Sequence, residues 1–159
     1  VSSEYSIQAF DPKDLDDVVR INWTCLPENY DNAFFLSIFY HFPKTFIVSK
    51  VSGKVVGYMM CRVETGFSDL RRFSMTRKGH VVSIAVLPEQ RNRGIASALL
   101  EKTLEGLRQY QATECFLEVR ESNMIAIDLY KRYGFSVTRT MRGYYRDGES
   151  AYVMVKSLV

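Results

Sequence analysis

A chain of 159 residues with 47% apolar side chains is long enough for one domain with a true core and too apolar for disorder. A formal net charge of +3 makes no compositional case for nucleic acid as the main partner, so no specific nucleic acid is expected. Three scattered cysteines (Cys25, Cys61, Cys115) and two histidines argue against a metal site and fit reduced thiols in the cytoplasm, and no apolar run reaches membrane-spanning length.

In chain order, Tyr5 to Phe10 reads as a short strand. Asp11 can cap a helix with Pro12 at its first position; Leu15, Val18, Val19 and residues 22–26 continue it and Pro27 stops it. Residues 31–41 form a second, aromatic-rich helix ended by Pro43. Residues 46–48, a turn at Ser52-Gly53 and residues 55–63 make a hairpin. Residues 65–79 are polar and basic and read as a loop, with Arg71, Arg72, Arg77 and Lys78 as a solvated surface. Residues 81–87 form a strand, 93–109 a helix with apolar positions 95, 96, 99, 100, 104 and 107, and 116–119 another strand. A helix over 124–133 ends at Gly134 as its C′ residue. Strands at 135–141 and 151–155 close the chain around a turn at Asp147-Gly148. The order β-αα-β-β-β-α-β-α-β-β argues a mixed α/β fold in a single domain over 1–159, with a largely antiparallel twisted sheet of about seven strands flanked by about four helices.

The stretch RNRGIA, Arg91 to Ala96, lies where a strand gives way to a helix. The first N–H groups of a helix have no partner inside it, and the helix dipole favours an anion there. Gly94 leaves the backbone bare, and Arg91 and Arg93 add charge. That design suits a phosphate or pyrophosphate, although a plain capped helix with solvated arginines would read the same way.

Arg91-Asn92-Arg93-Gly94-Ile95-Ala96 after a strand resembles the acetyl-CoA motif Arg/Gln-x-x-Gly-x-Gly/Ala of the GNAT acetyltransferases. LPENY at 26–30, GHVVSIAV at 79–86, LEVRESN at 117–123, LYKRYGF at 129–135 and GYYRDGESAY at 143–152 resemble the N-terminal acetyltransferases of that superfamily, notably the catalytic subunit of the A complex and its archaeal homologues. The resemblance spans nearly the whole chain and is weakest at 65–78. It implies the GNAT fold and transfer of acetyl from acetyl-CoA, without a metal, directly to the α-amine of protein N-termini or nascent peptides, Ser, Ala and other small or Met-initiated ends among them. It also implies the cytoplasm as location and the ribosome or an auxiliary subunit as further partners; no membrane is expected.

Residue by residue, the resemblance implies cofactor contacts from Ile84, Ala85 and Val86, from Arg91, Asn92, Arg93, Gly94, Ile95, Ala96 and Ser97, and from Asn123 and Tyr130. Asn123 also suits a helix N-cap, and Tyr130 fits the apolar face of its helix. It implies substrate contacts from Leu26, Pro27, Glu28, Tyr30, Tyr144 and Tyr145; two adjacent tyrosines in a strand point to opposite faces, so one of the pair can be packing. The catalytic candidates are Glu28, His80, Glu118 and Tyr130. An α-amine with a pKa of about 7.7–8 needs only a modest base, directly or through a water. In the archaeal relatives the residues matching His80 and Glu118 are implied to order that water; in many eukaryotic relatives a His stands at the Glu118 position. On residues alone, His80 reads as a structural histidine at a strand start, Glu28 as a loop acid and Glu118 as the partner of Arg120 on the same strand face. Tyr130 is implied to protonate the departing thiolate. Two other functions stay open: an acetyltransferase for lysine side chains or a small amine, and a non-catalytic acetyl-CoA-binding subunit.

Overall fold

A computed structural model describes residues 4–159. Its strands are β1 (Tyr5–Ala9), β2 (Phe46–Val51), β3 (Lys54–Phe67), β4 (Met75–Val86), β5 (Glu114–Arg120), β6 (Ser136–Met141) and β7 (Ala151–Ser157). Its helices are α1 (Leu15–Cys25), α2 (Asn32–His41), α3 (Ile95–Gln109) and α4 (Met124–Arg132). The strands join in one sheet in the order β1-β2-β3-β4-β5-β7-β6. β4 and β5 run parallel, in register from Lys78 with Glu114 to His80 with Phe116. β1–β2, β2–β3, β5–β7 and β7–β6 are antiparallel. This is the mixed, largely antiparallel sheet of seven strands with four helices that the pattern of elements called for.

Two compact units divide the chain: residues up to Arg62 together with Val82–Gln109, and Val63–Val81 together with Tyr110–Val159. In the first, Val18 and Ile21 of α1, Phe35 of α2, Phe46 and Val48 of β2 and Tyr58 of β3 are fully buried in one core. Asp11 starts the first helical segment with a capping box: its carboxylate accepts from Lys13 N at 3.0 Å, and Asp14 accepts from Asp11 N at 3.1 Å. Asp31 caps α2 by accepting from Phe34 N at 2.8 Å. α3 buries Ile95, Leu99, Leu100 and Leu107, and its Gly106 permits a close approach, since a Cβ there would stand 2.2 Å from the Lys44 carbonyl oxygen.

In the second unit β5 pairs with β7 along its whole length, Glu114–Ser157 to Arg120–Ala151. Phe116, Val153 and Val155 form its apolar cluster with Met141 packed on it. Here the expectation of a loop over 65–79 is corrected. β3 extends to Phe67 and β4 begins at Met75, leaving a short connection closed by Ser68 N donating to Ser74 O at 2.7 Å. Lys78 is not on a solvated surface: it is buried and forms an ion pair with Asp69 at 2.6 Å. Buried Glu114 accepts from the Ser68 hydroxyl and from Asp69 N, fixing that connection. The strand was hidden because its inward residues include Thr76 and Lys78, which carry no apolar alternation.

Candidate active site

The RNRGIA turn belongs to the first unit and is built as the sequence suggests. Asn92 and Gly94 both take left-handed backbone, with φ of 63° and 81°. Asn is among the few non-glycine residues that accept this at modest cost. A Cβ on Gly94 would find only the Tyr5 hydroxyl oxygen, 3.5 Å away. The α3 helix starts at the next residue, with Ala98 N donating to Gly94 O at 3.0 Å. Arg91 donates its Nε–H to Val86 O at 2.9 Å, so the end of β4 and the turn are tied together. Arg93 donates to the Gln90 side chain and lies over the Tyr5 ring at 5.8 Å. Along β4, Val82 and Ile84 are half-buried while Val81, Ser83 and Ala85 are buried; the alternation ends at buried Val86, which does not share exposure with Ile84 as strict alternation requires.

The segment 26–30 is also in the first unit, held by a side chain the sequence reading passed over. Asn22 of α1 is fully buried. Its amide donates to Glu28 O at 3.1 Å and to the Tyr58 hydroxyl at 3.1 Å. Its Oδ1 accepts from Tyr30 N at 3.4 Å and from Asn29 Nδ2 at 3.3 Å. Tyr58 in turn shares a 2.7 Å hydrogen bond with the Ser83 hydroxyl of β4. Burial, only partly offset by the hydrogen bonds of Ser83 and Asn22, pushes the Tyr58 pKa up to about 12, so the network stays neutral. Tyr30 stacks on Phe34 at 4.6 Å and donates to Val82 O at 3.5 Å. Leu26, Glu28 and Tyr30 are half-buried and Pro27 is exposed. The legible signal was a polar side chain beside Val18 and Ile21 on the apolar face of α1.

The second unit brings His80 and Glu118 together: His80 Nε2 lies 2.7 Å from Glu118 Oε2. Parallel pairing explains this, because His80 faces Phe116 directly and Glu118 is the next residue on the same face of β5. The His80 ring stacks on Phe116 at 4.4 Å with an interplanar angle of 4°. The other ring nitrogen, Nδ1, is buried and makes no hydrogen bond. In the tautomer that donates Nε2–H to the carboxylate, Nδ1 carries the lone pair. The expectation of a histidine at a strand start is corrected: β4 begins at Met75, so His80 is mid-strand and its ring is fixed.

Glu118 is therefore not paired by Arg120. That guanidinium reaches out to the connection between β6 and β7, donating to Asp147 Oδ2 at 2.8 Å and Glu149 Oε1 at 3.0 Å. Tyr144 and Tyr145 lie in this connection and not on a strand, because β6 ends at Met141. Their rings meet edge to face at 5.0 Å, and Arg120 Cζ is 4.0 Å from the Tyr145 ring centroid. Asp147-Gly148 makes the expected turn, with Gly148 N donating to Tyr145 O at 2.9 Å. Asn123 caps α4, accepting from Ala126 N at 3.2 Å. Tyr130 is buried against Phe135, with ring centroids 5.5 Å apart.

The cysteines take no part in such an arrangement. Cys61 and Cys115 are buried, and burial pushes the Cys115 thiol up to about 12, far from a thiolate. Cys25 is half-buried, its Sγ 3.7 Å from Val86 O. Among the described residues no group of three or more His, Cys, Asp and Glu is arranged to hold a metal ion.

Residues 15–135 match the acetyltransferase (GNAT) family. The N-alpha-acetyltransferase of Sulfurisphaera tokodaii is 45% identical over 157 residues, covering 98% of this chain and 94% of the relative. Among solved structures, Ard1 from Thermoplasma volcanium superposes with a TM-score of 0.83 at 34% identity, covering 98% of both chains. Arabidopsis thaliana Naa50 in complex with the bisubstrate analogue CoA-Ac-MVNAL gives a TM-score of 0.81 at 25% identity, covering 96% of this chain and 98% of that one. By family match and by identity over almost its full length, the chain belongs to the GNAT acetyltransferases, in their group of N-alpha-acetyltransferases.

Proposed function

We propose that the chain, acting as one domain in the cytoplasm, transfers acetyl from acetyl-CoA directly to the free α-amine of protein N-termini, with Ser, Ala and other small or Met-initiated ends as acceptors. The observation that carries this reading is the His80–Glu118 pair, a proton-accepting unit on the parallel strands β4 and β5 with 2.7 Å between its members. An α-amine, with a pKa of about 7.7–8, is part neutral at pH 7, so this pair has to remove only one modestly acidic proton. His80 and Glu118, hydrogen-bonded to each other, would order a water that takes the proton. Stacking on Phe116 keeps the imidazole in one orientation.

Acetyl-CoA supplies an acetyl thioester whose leaving thiol has a pKa near about 8.5. The residues fit its phosphates: two left-handed residues, an open Gly94, the α3 N-terminus and two arginines form an anion cradle. Asn92, Ile95, Ala96 and Ser97 would offer backbone N–H groups there, and Ile84 to Val86 the strand backbone for the pantetheine arm. Asn123 would hold that arm from the α4 cap, and Tyr130 would carry a proton for the leaving sulfur. Glu28 and Tyr30, on the loop fixed by Asn22, and Tyr144 and Tyr145 would hold the first residues of the acceptor. The similar Naa50 structure in complex with the bisubstrate analogue CoA-Ac-MVNAL supports a site that takes both substrates at once. An auxiliary subunit or the ribosome is the proposed further partner; a similar structure is the NatB complex.

The test is competition between a peptide with a free Ser N-terminus and the same peptide blocked at its N-terminus but carrying internal lysines. A lysine ammonium at a pKa of about 10.4 costs roughly 4 kcal/mol more to deprotonate. The free N-terminus is acetylated faster. Faster acetylation of the blocked peptide would replace this reading with a lysine acetyltransferase; acetyl-CoA binding with no transfer to either would make the chain a binding subunit.

A further inference from the structure

We propose that Arg120 is a positioning residue for the acceptor, which it serves by holding the connection between β6 and β7 in one conformation. This rests on the reading of Tyr144 and Tyr145 as acceptor-binding groups. Residues 142–150 lie outside both strands, and Tyr144 is 46% exposed. Exposed segments of this kind open at low cost unless something ties them down. Here the Arg120 guanidinium is a tie that reaches two carboxylates and a ring of the connection at once. Arg120 bonds Asp147 and Glu149 and stands over the Tyr145 ring, which meets Tyr144 edge to face.

The rest of the connection is organised around the two carboxylates. Glu149 accepts from Ser122 N at 3.0 Å, just past the end of β5. Asp147 Oδ1 accepts from Glu149 N at 3.0 Å, and Tyr145 N donates to Glu149 O at 3.1 Å. Arg120 stands two residues from Glu118 on the same face of β5. One strand thus carries both the carboxylate that pairs with His80 and an anchor of the tyrosine-bearing connection. Arg120 meets both carboxylates through Nη1 while its Cζ stands over the Tyr145 ring, and a lysine ammonium, smaller and without a delocalised plane, would cover the same set less completely.

The experiment measures initial rates against a Ser-initiated peptide and, separately, against acetyl-CoA, for Arg120→Met and Arg120→Lys, with hydrogen exchange of residues 143–150 by mass spectrometry. Met keeps the stem and loses the fork. If the competent conformation falls to about a tenth of the population, KM for the peptide rises about tenfold while kcat and the acetyl-CoA KM stay within about twofold. Exchange across 143–150 accelerates, and Lys restores less than half of the lost affinity. Should Arg120→Met fail to fold, the double variant Asp147→Asn, Glu149→Gln must give the same rise in peptide KM. An unchanged peptide KM in Arg120→Met, while Tyr144→Ala raises it, overturns the role of Arg120 and leaves the acceptor reading standing. Unchanged peptide KM in both Tyr144→Ala and Tyr145→Ala removes the acceptor reading, and this inference with it. An equal change in kcat or in acetyl-CoA KM assigns Arg120 to the fold and overturns the proposal.

Discussion

Residues 26–30 are held by a neutral amide, and residues 142–150 by a cation. The first segment hangs on Asn22, whose buried side chain bonds Glu28 O, Tyr30 N, Asn29 and the Tyr58 hydroxyl. The second hangs on Arg120, whose partners Asp147 and Glu149 are carboxylates on an exposed connection. A buried neutral network cannot be screened or titrated in the working range, and it costs stability heavily when broken. An exposed ionic clamp contributes less, and it responds to pH and salt. The same task, fixing an irregular segment to a regular element, is therefore done once rigidly and once adjustably.

The largest effect should come from breaking the neutral side. Asn22→Ala removes a buried side chain with four hydrogen bonds and should cost about 3 kcal/mol of stability in urea unfolding. It should also weaken use of the peptide more than use of acetyl-CoA. A loss below about 1 kcal/mol would mean that water replaces the amide without penalty, and the contrast between the two segments would fail. Tyr58→Phe is milder, because only the hydroxyl goes: about 1–2 kcal/mol, since Asn22 and Ser83 each lose one bond.

Acid should separate the two segments next. The backbone N–H of Glu149 first, and Arg120 after it, hold the Asp147 carboxyl below its usual range. Hydrogen bonds from the Ser122 hydroxyl, then from Arg120 and the Ser122 backbone, do the same for Glu149. In the opened connection both carboxyls titrate in the ordinary range, about 3.9–4.3. Their contribution is therefore complete above that range and is lost as pH falls through the lowered values. Hydrogen-exchange protection at Tyr145 and Gly148 should fall across this acid window, while protection at Tyr30 holds, since Asn22 and Ser83 do not titrate and Tyr58 titrates at about 12. Equal loss at both segments would mean global acid unfolding and not a clamp. The smallest effect is that of salt: at 1 M, with a screening length of about 3 Å, peptide KM should rise by a factor of about two in the wild type and not in Arg120→Met.

The scaffold was legible in the sequence, and the reasons for the misses are specific. Strand alternation and turn residues exposed the sheet, and the left-handed turn of RNRGIA before α3 was legible because it is a local feature built from consecutive residues. Alternation also put Glu118 and Arg120 on one face, which invited pairing them. Residues two apart on a strand are separated by about 6.6 Å, so cross-element partners win: His80 for Glu118 and two loop carboxylates for Arg120. Those partners lie far away in sequence and carry no local mark. Lys78 was read by composition as solvated, yet Asp69 and the Phe116 ring at 4.6 Å compensate its burial. Asn22 was absorbed into a helix pattern although its position on the apolar face marked it as a buried polar group.

The central claim is that His80 and Glu118 act as one proton-accepting unit, and a double-mutant cycle on kcat tests it most directly. His80→Ala and Glu118→Ala should each lower kcat by about 10²–10⁴-fold with acetyl-CoA affinity by calorimetry unchanged, and the double variant should fall little further than the worse single one. Losses that multiply fully in the double variant would show two independent groups, and full activity in both single variants would remove the pair from the reaction.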